Sequence, residues 1–363
     1  MVAGITVTGL TKGFGNTTVV DGLDLEVEQG EILVLLGPSG CGKTTTLRCL
    51  AGLETPSGGS IRFDGAPVFD GETRVNVPIN KRNIGMVFQS YALWPHMTVR
   101  QNIAYPLKVR RMKQAIADGW VERAAEMVHC ANLLDRYPAQ LSGGQQQRIA
   151  LARGLVAQPS VVLLDEPLSN LDAKLRDQVR TEIRELHQQL GFTGVLVTHD
   201  QEEALALGDR VAIMKDGRIE QLDTPEALFL APATEYVAGF VGMSNRLEWE
   251  RSDGAWAGPG GLQVSAPVLG VDGDRAVSLI RPDDLVLHPA RPDAVDGAIV
   301  MDASLVTAEY GGRHVDVTLT LGDESRLHAR TGTGASEAWV RSLQPGAAVA
   351  VSVAQQSLHT YPA

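Results

Sequence analysis

The sequence predicts two successive domains of different class, an α/β domain over residues 1–240 and a small all-β domain over residues 246–363. In the first part, short apolar runs alternate with longer stretches of helical periodicity, which is typical of a sheet covered by helices on both faces. After Asn245 the helical periodicity fades, and short alternating segments lie between Gly and Pro residues. A length of 363 residues is comfortable for two domains that each bury a core.

The apolar runs place the individual strands. In the first domain, the predicted strands are Ile32–Leu36, Gly85–Phe88, Val161–Leu164, Gly194–Thr198 and Val211–Met214. In the second domain, the clearest alternating segments are Val277–Ile280, Val315–Leu321 and Ala348–Val353, and Gly311-Gly312 indicates a hairpin turn. We therefore expect an antiparallel second domain.

Composition excludes several classes of protein. A formal net charge of −11 disfavours binding to nucleic acid or to anionic lipid, because both reward clustered Lys and Arg. The three cysteines, Cys41, Cys49 and Cys130, match neither a disulfide framework nor a zinc site, and they fit a reducing compartment. We find no signal peptide and no apolar run near the ~20 residues that span a bilayer. Any association with a membrane is therefore expected to come through another protein.

A glycine-rich segment follows the strand Ile32–Leu36 and precedes a helical stretch. Glycines let the backbone wrap around phosphates, the helix N-terminus adds partial positive charge, and the lysine reaches the outer phosphates. A hydroxyl at the start of the helix can also ligate Mg²⁺. The alternative is a glycine-rich connection that binds nothing. The predicted phosphate-binding residues are Gly37, Pro38, Ser39, Gly40, Cys41, Gly42, Lys43, Thr44 and Thr45.

Two acidic residues follow the buried strand Val161–Leu164. The carboxyl ends of parallel strands are where α/β sheets place ligands, so Asp165 and Glu166 are expected beside the phosphates. We assign Asp165 to Mg²⁺ through the water shell of the ion, beside Thr44 as a ligand, and Glu166 to orienting and deprotonating the attacking water. The alternative is a pair of charges that only stabilises a helix N-terminus.

A second glycine-rich helix start lies at Leu141–Arg148, where Ser142 is expected to be the N-cap residue and Gly143 and Gly144 leave bare N–H groups. With Gln145 these residues form the sequence L-S-G-G-Q. Together with the predicted phosphate-binding residues 37–45, called the phosphate loop below, this element resembles the ATP-binding subunits of ABC transporters. In that family, it caps the γ-phosphate of a nucleotide held by the opposite subunit. The resemblance implies ATP and Mg²⁺ as cofactors and a head-to-tail dimer with a second copy or a close relative.

Four further positions match motifs of the family, and for each the resemblance implies a role. Phe14 is similar to the aromatic residue that stacks on adenine, although an exposed loop aromatic can also anchor packing. Gln89 resembles the glutamine that contacts Mg²⁺ and the reacting water, and His199 the histidine that contacts the γ-phosphate. Asp172 resembles the aspartate that communicates across the dimer, and capping of the next helix is the competing role.

The segment Tyr91–His96 concentrates aromatic and apolar residues immediately after Gln89. Exposed aromatic residues are enriched at protein interfaces, so this segment is predicted to dock a partner. In the family, a transmembrane permease subunit contacts this region, which belongs to a helical subdomain expected at about residues 90–158. The alternative is that these side chains form local core of that subdomain.

The second domain is similar to the OB-like β-barrel regulatory domain of importer-type subunits, on the residues Ile280–Leu285 and the strands within 303–321. The resemblance implies an ATPase that powers import with an extracytoplasmic solute-binding protein, at the cytoplasmic face of the inner membrane. Residues 80–107 are similar to importer subunits for iron(III), polyamine and phosphonate, and iron(III) is the cargo that we favour. The alternatives are the same role in polyamine, phosphonate or sugar import, and a soluble ABC ATPase outside transport.

Overall fold

A computed structural model of the chain describes residues 3–252, 254–292 and 295–363. They form two compact units, the first ending at Leu228 and the second running from Phe229 to Ala363. This division lies earlier than the boundary expected near residue 245, because Ala238 of the helix Glu235–Phe240 packs with Met243 and Leu279 of the second unit. That residues 1–240 and 246–363 are the two functional domains stays a prediction.

The first unit is built from two sheets and the helices that pack on them. Its strands are β1 (Ala3–Phe14), β2 (Thr17–Glu28), β3 (Ile32–Leu36), β4 (Gly58–Phe63), β5 (Ala66–Asp70), β6 (Val75–Asn76), β7 (Ile84–Val87), β8 (Val161–Asp165), β9 (Thr193–Thr198), β10 (Arg210–Lys215) and β11 (Arg218–Asp223). Its helices are α1 (Lys43–Ala51), α2 (Val99–Val109), α3 (Lys113–Ala117), α4 (Trp120–Met127), α5 (Gly143–Leu155), α6 (Ala173–Leu190) and α7 (Gln201–Leu207), followed by α8 (Pro225–Leu230), within which the two units divide.

One sheet carries all five strands predicted for the first domain. Its order is β11-β10-β3-β9-β8-β7, with parallel pairing throughout except between β10 and β11. Every residue of β3, β8 and β9 is buried, as expected for strands covered on both faces. The α/β class predicted for this part of the chain is confirmed.

The other sheet of the first unit is antiparallel, with the order β2-β1-β4-β5-β6. Sequence analysis missed it. Strand β2 has a clear period of two, because Leu23, Leu25 and Val27 are buried whereas the acidic residues between them are exposed. These apolar residues face the same core as the parallel sheet.

Helices α2 to α5 lie between β7 and β8 along the chain, inside the range of about 90–158 expected for a helical subdomain. Helix α2 begins with a capping box, in which Thr98 accepts a hydrogen bond from the Gln101 N–H and Gln101 accepts one from Thr98. Its buried residues Ile103 and Leu107 lie on one face, and the helix packs on α4 and α5. No helix in the described ranges is both long and apolar enough to cross a membrane.

The three cysteines of the chain are free and buried. Burial raises the pKa of the Cys49 and Cys130 thiols to about 11, so both side chains stay protonated at neutral pH. They therefore behave as small apolar residues of the core rather than as nucleophiles.

The second unit is dominated by two antiparallel sheets, with the orders β14-β13-β12-β15-β21 and β16-β20-β17-β18-β19. They share a core that includes the buried side chains of Trp249 and Trp256. The hairpin predicted at Gly311-Gly312 is confirmed, since it joins the paired strands β17 and β18. The elements of this unit after α8 are α9 (Glu235–Phe240), β12 (Asn245–Ser252), β13 (Ala255–Ala257), β14 (Gln263–Ser265), α10 (Ala266–Leu269), β15 (Arg275–Ile280), β16 (Leu285–His288), β17 (Ala298–Tyr310), β18 (His314–Thr320), β19 (Arg326–Gly332), β20 (Ala348–Ala354) and β21 (His359–Pro362).

Candidate nucleotide site

The register of the parallel sheet brings the predicted site residues to one edge. Leu36 of β3 pairs with Thr198 of β9, and Val197 pairs with Asp165 of β8. On the next strand, Val87 pairs with Leu164. The residues that follow these strand ends therefore lie side by side at the carboxyl edge of the sheet, where ligands bind in α/β proteins.

The phosphate loop has no room for larger residues at two of its glycines. A Cβ atom on Gly37 would lie 2.5 Å from the Met214 carbonyl oxygen, and one on Gly42 would lie 2.6 Å from the Val19 carbonyl oxygen. Gly42 is also in the left-handed region, with a φ of 103°. It precedes α1 without any side-chain cap, so the first-turn N–H groups of this helix are not consumed by a cap of its own. A helix start with such unpaired N–H groups can bind a phosphate group.

Lys43 lies inside this loop rather than in solvent. Its buried ammonium donates hydrogen bonds to the carbonyl oxygens of Gly37 and Pro38, at 2.7 and 2.8 Å. The Cys41 sulfur lies 3.7 Å from the same nitrogen. The positive charge is thus held over the loop by neutral acceptors, and no carboxylate is needed to position it. An anion entering the loop meets an ammonium group that is already in place.

Thr44 and Asp165 carry oxygen atoms of the kind that Mg²⁺ prefers as ligands. Burial raises the pKa of the Asp165 carboxyl, against the nearby positive charge of Arg48 and a hydrogen bond with Thr44. In the described residues, no group of three or more His, Cys, Asp or Glu side chains can hold a metal. One hydroxyl, one carboxylate and the amide of Gln89 suit a cation that takes its remaining ligands from phosphate and water.

The structure brings Gln89, Glu166 and His199 together. The Gln89 side-chain amide donates a 3.0 Å hydrogen bond to Glu166 Oε2, and His199 Nδ1 lies 3.3 Å from Glu166 Oε1. The side chain of His199 is 59% exposed, so it can reach a ligand above the sheet edge. A carboxylate flanked by an amide and an imidazole can orient a water molecule and accept its proton.

The backbone of Glu166 adopts an unusual conformation. Its φ is 43°, in the left-handed region that disfavours residues with a Cβ atom. Its N–H donates a hydrogen bond to the Val197 carbonyl oxygen, which fixes the turn after β8. Strain of this kind concentrates at functional sites.

The second glycine-rich element begins helix α5. Ser142 is its N-cap residue and forms a capping box with Gln145, each side chain accepting a hydrogen bond from the other residue's N–H. The cap uses the N–H of Gln145. The N–H groups of Gly143 and Gly144 belong to the first turn, where helix geometry provides no acceptor.

Two other predicted residues have their described contacts outside the cluster of Gln89, Glu166 and His199. The Asp172 side chain accepts a hydrogen bond from the Leu175 N–H and caps α6, which is the competing role considered from sequence. Phe14 ends β1 with 48% of its surface exposed, and the ammonium of Lys12 lies 4.6 Å from its ring centroid. The Lys12 ammonium thus lies over a half-exposed ring, and stacking of Phe14 on adenine stays a prediction.

The segment Tyr91–His96 lies near α5 and α2. Arg153 of α5 donates hydrogen bonds to the carbonyl oxygens of Tyr91 and Ala92, at 2.7 and 2.6 Å. Trp94 is 44% exposed, and its ring lies 5.8 Å from that of Tyr105. Both line a cavity of about 260 Å³. The segment is therefore anchored by its backbone and presents a partly open aromatic side.

Sequence analysis missed two polar residues that form hydrogen bonds with the segments carrying Gln89 and His199. Asn170 donates a 2.8 Å hydrogen bond from its side chain to the Gln89 carbonyl oxygen. Glu203 of α7 is buried and accepts a hydrogen bond from the Thr198 hydroxyl. Asp200 followed by Glu203 is a helix-start signal that was available in the sequence, whereas nothing local indicated that Glu203 is buried.

Comparison with known proteins finds a matching family model in each of the two parts of the chain. A sequence model of the ABC transporter family matches residues 20–169, and one of the TOBE domain matches residues 278–360. An Fe(3+) ions import ATP-binding protein FbpC of Rhizobium etli is 46% identical over 321 residues, 86% of each chain. A trehalose/maltose import ATP-binding protein MalK of Thermococcus litoralis is 43% identical over 342 residues, 91% of this chain and 89% of its own. A putative ATP-binding protein of Brucella suis is 41% identical over 362 residues, 98% of this chain and 97% of its own.

Proposed function

Because this chain belongs to the ABC transporter family as an ATP-binding ATPase with a C-terminal TOBE domain, we propose that it hydrolyses ATP to power solute import through permease subunits. The observation that carries the proposal is the cluster of Gln89, Glu166 and His199 beside the phosphate loop. In this arrangement, groups that orient and deprotonate water lie at the sheet edge that also carries a phosphate-binding helix start.

Each group has a distinct task in this reaction. Lys43 and the first-turn N–H groups of α1 bind the β- and γ-phosphates. Glu166 accepts a proton from the attacking water while the Gln89 amide and the His199 imidazole hold the carboxylate in place. Thr44, Asp165 and Gln89 would hold Mg²⁺, which would supply charge neutralisation on the phosphate oxygens when bound.

We propose that the complete site forms between two copies of the chain. The support is that Ser142 and its glycines make an anion-binding helix start with no lysine in its first turn. The phosphate loop holds Lys43. One element is suited to grip the triphosphate and the other to cap it, as the family resemblance implies. Asp172, the N-cap residue of α6, is proposed to pass the state of one site to the other.

A Glu166→Gln variant tests the catalytic role and the dimer together. It should bind ATP but lose about 10²- to 10³-fold in hydrolysis rate, because the amide accepts no proton at neutral pH. With ATP and Mg²⁺, the purified variant should elute as a dimer in size-exclusion chromatography. Wild-type hydrolysis by this variant would overturn the catalytic assignment.

A matched pair of double variants tests whether Ser142 closes that dimer. Glu166→Gln with Ser142→Arg should remain monomeric in ATP, because the added side chain blocks the helix start. Glu166→Gln with Thr181→Arg, a change on the exposed side of α6, should still form dimers. Dimers of equal stability in both proteins would contradict a site shared between copies.

We also propose that the segment Tyr91–His96 docks a transmembrane permease. The support is the partly exposed Trp94 beside the cavity near Tyr105, on a loop that begins two residues after Gln89. A Leu93→Ser/Trp94→Ser variant should lower solute uptake at least tenfold in cells, as loss of a hot-spot residue does. Its basal ATP hydrolysis should be unchanged. A Tyr310→Ser change at another exposed aromatic residue is the control, and unchanged uptake in the double variant would exclude docking here.

For the cargo we propose iron(III), delivered by an extracytoplasmic solute-binding protein, with the chain held at the cytoplasmic face of the inner membrane by its permease. The Fe(3+) import relative is slightly more similar than the trehalose/maltose import relative, and sugar import is therefore the second candidate. Deletion of the gene should abolish uptake of radiolabelled ferric ion and leave maltose uptake intact. The reverse result would assign sugar import, and intact uptake of both would leave an ATPase outside these two pathways.

A further inference from the structure

An acidic side chain is buried directly behind the turn that carries His199. Glu203 of α7 has only 3% of its surface exposed, and Thr198 at the end of β9 has 1%. The Thr198 hydroxyl donates a 2.6 Å hydrogen bond to Glu203 Oε2 and accepts one of 3.0 Å from the Asp200 N–H. Two hydrogen bonds thus connect the Asp200 N–H to the Thr198 hydroxyl and the Thr198 hydroxyl to the buried Glu203 carboxyl.

This arrangement departs from an ordinary capping box. In a capping box, the acidic side chain three residues into the helix bonds to the N-cap N–H directly. Here Asp200 is the N-cap residue of α7 and accepts a hydrogen bond from the Glu203 N–H, but the Thr198 hydroxyl stands between the Glu203 carboxyl and the Asp200 N–H. Asp200 also forms a 3.1 Å ion pair with Arg176 of α6. Both neighbours of His199 are therefore held by residues of α6 and α7, whereas the His199 side chain is largely exposed and contacts Glu166.

We propose that Glu203 is a positioning residue for ATP hydrolysis, which acts through Thr198 to set how His199 presents its imidazole to Glu166 and the γ-phosphate. The inference rests on the proposed function of His199. It goes beyond that function because Glu203 itself touches neither nucleotide nor reacting water.

The charge state of Glu203 gives the proposal a measurable signature. Burial raises the pKa of Glu203 to about 7, and the charge of Asp200 adds to the increase. The Thr198 hydrogen bond, the positive charge of Arg176 and a protonated His199 each lower this pKa. Its second oxygen, Oε1, has no hydrogen-bond partner in the described residues. An ionised carboxylate makes a stronger, shorter hydrogen bond to a hydroxyl than a neutral acid does. The Thr198–Glu203 hydrogen bond is therefore stronger above pH 7 than below it, although the buried charge makes the fold as a whole less stable there.

Three variants separate this role from a general effect on folding. Glu203→Gln keeps the volume and an acceptor for Thr198 but cannot ionise. Glu203→Ala removes the acceptor. Glu202→Gln changes the neighbouring exposed glutamate and is the matched control. The measurements are the kcat and KM for ATP of the purified full-length chain between pH 6 and 8.5, with the melting temperature of each variant.

In the wild-type chain, kcat should rise as the pH increases through about 7, because Glu203 loses its proton there. Glu203→Gln should remove this rise and lower kcat at pH 8 about 3- to 10-fold, to the level that the wild type shows at pH 6. Glu203→Ala should lower kcat about tenfold or more at every pH. KM should not change in either variant, because the phosphate loop is untouched. Glu202→Gln should match the wild type.

Two outcomes would overturn the inference. One is a Glu203→Gln variant with wild-type kcat and an unchanged pH profile. The other is a loss of activity in both Glu203 variants that follows the melting temperature and leaves the pH profile unchanged, since this would indicate a purely structural role. His199→Ala distinguishes failure of the underlying function: if that variant hydrolyses ATP normally, the reaction site is misassigned, and Glu203 has nothing to position.

Discussion

Two helices of the first unit begin with glycine-rich segments, and these two helix starts differ in capping and in charge. Helix α1 follows a left-handed glycine and has no side-chain cap, whereas α5 is capped by Ser142 in a reciprocal box with Gln145. The first segment also carries a buried lysine whose ammonium is held by Gly37 and Pro38 carbonyl oxygens. The second has no basic residue in its first turn.

This difference shows that a glycine-rich helix start is not one kind of site. A start without a cap reserves its N–H groups for a ligand, and a lysine fixed in place adds full positive charge. A start with a capping box uses two of its four unpaired N–H groups for its own stability and offers the remaining two, here those of Gly143 and Gly144. The phosphate loop is therefore suited to bind phosphate by itself, whereas the element at Ser142 is suited to complete a site that another polypeptide provides.

The largest expected effect is at the lysine. Lys43→Ala removes the only full charge in the first turn of α1. The variant should therefore lower kcat for ATP hydrolysis about 10²- to 10³-fold and weaken nucleotide binding by the isolated chain. Isothermal titration calorimetry and steady-state hydrolysis measure the two effects. Lys174→Ala, at an exposed position of α6, is the control. If Lys43→Ala bound nucleotide with wild-type affinity, the lysine would not distinguish the start of α1 from that of α5 as a nucleotide site.

The second prediction compares a glycine from each segment. Gly42→Ala should destabilise the fold by on the order of 2–4 kcal/mol, because the residue has a φ of 103° and its Cβ atom would lie 2.6 Å from the Val19 carbonyl oxygen. Gly143→Ala should change the free energy of unfolding by less than about 1 kcal/mol, because its Cβ atom would make only ordinary contacts at 3.7 Å. Denaturant unfolding of both variants gives the comparison, and equal losses would contradict it.

The smallest effect is expected at the cap. Ser142→Ala should lower the free energy of unfolding by about 1 kcal/mol, because the Gln145 N–H loses its acceptor. Nucleotide binding by the isolated chain should not change, since the phosphate loop of the same chain is intact. Differential scanning calorimetry and titration with ATP test both statements. A loss of affinity like that of Lys43→Ala would mean that both helix starts bind one nucleotide within one chain.

Local sequence signals were sufficient to locate the strands of the parallel sheet and the residues that follow them at its carboxyl edge. A fully buried parallel strand reads as a continuous apolar run, so strands such as Ile32–Leu36 and Val161–Asp165 were located to within a residue. Residues that follow such strands reach one edge whatever the order of the strands. This is why Gln89, Glu166 and His199 could be expected near one another before any contact was known.

What could not be predicted depends on contacts between distant segments. The antiparallel sheet was missed although Leu23, Leu25 and Val27 alternate with acidic residues, because the glycine-rich segments around this strand also read as loop. The burial of Glu203 depends on α7 packing against β9 and β3, which no local pattern states. The cap at Asp172 was weighed from sequence, but only the structure gives its bond to the Leu175 N–H.

The left-handed backbone at Glu166 has a consequence for how this chain responds to selection for thermal stability. Glycine and asparagine adopt a φ of 43° at lower cost than glutamate, so either residue would relieve strain in the fold. Both would also remove the carboxylate that faces Gln89 and His199. A screen that rewards heat resistance alone would therefore favour inactive proteins at this position, and a thermostable version of the enzyme must gain its stability elsewhere.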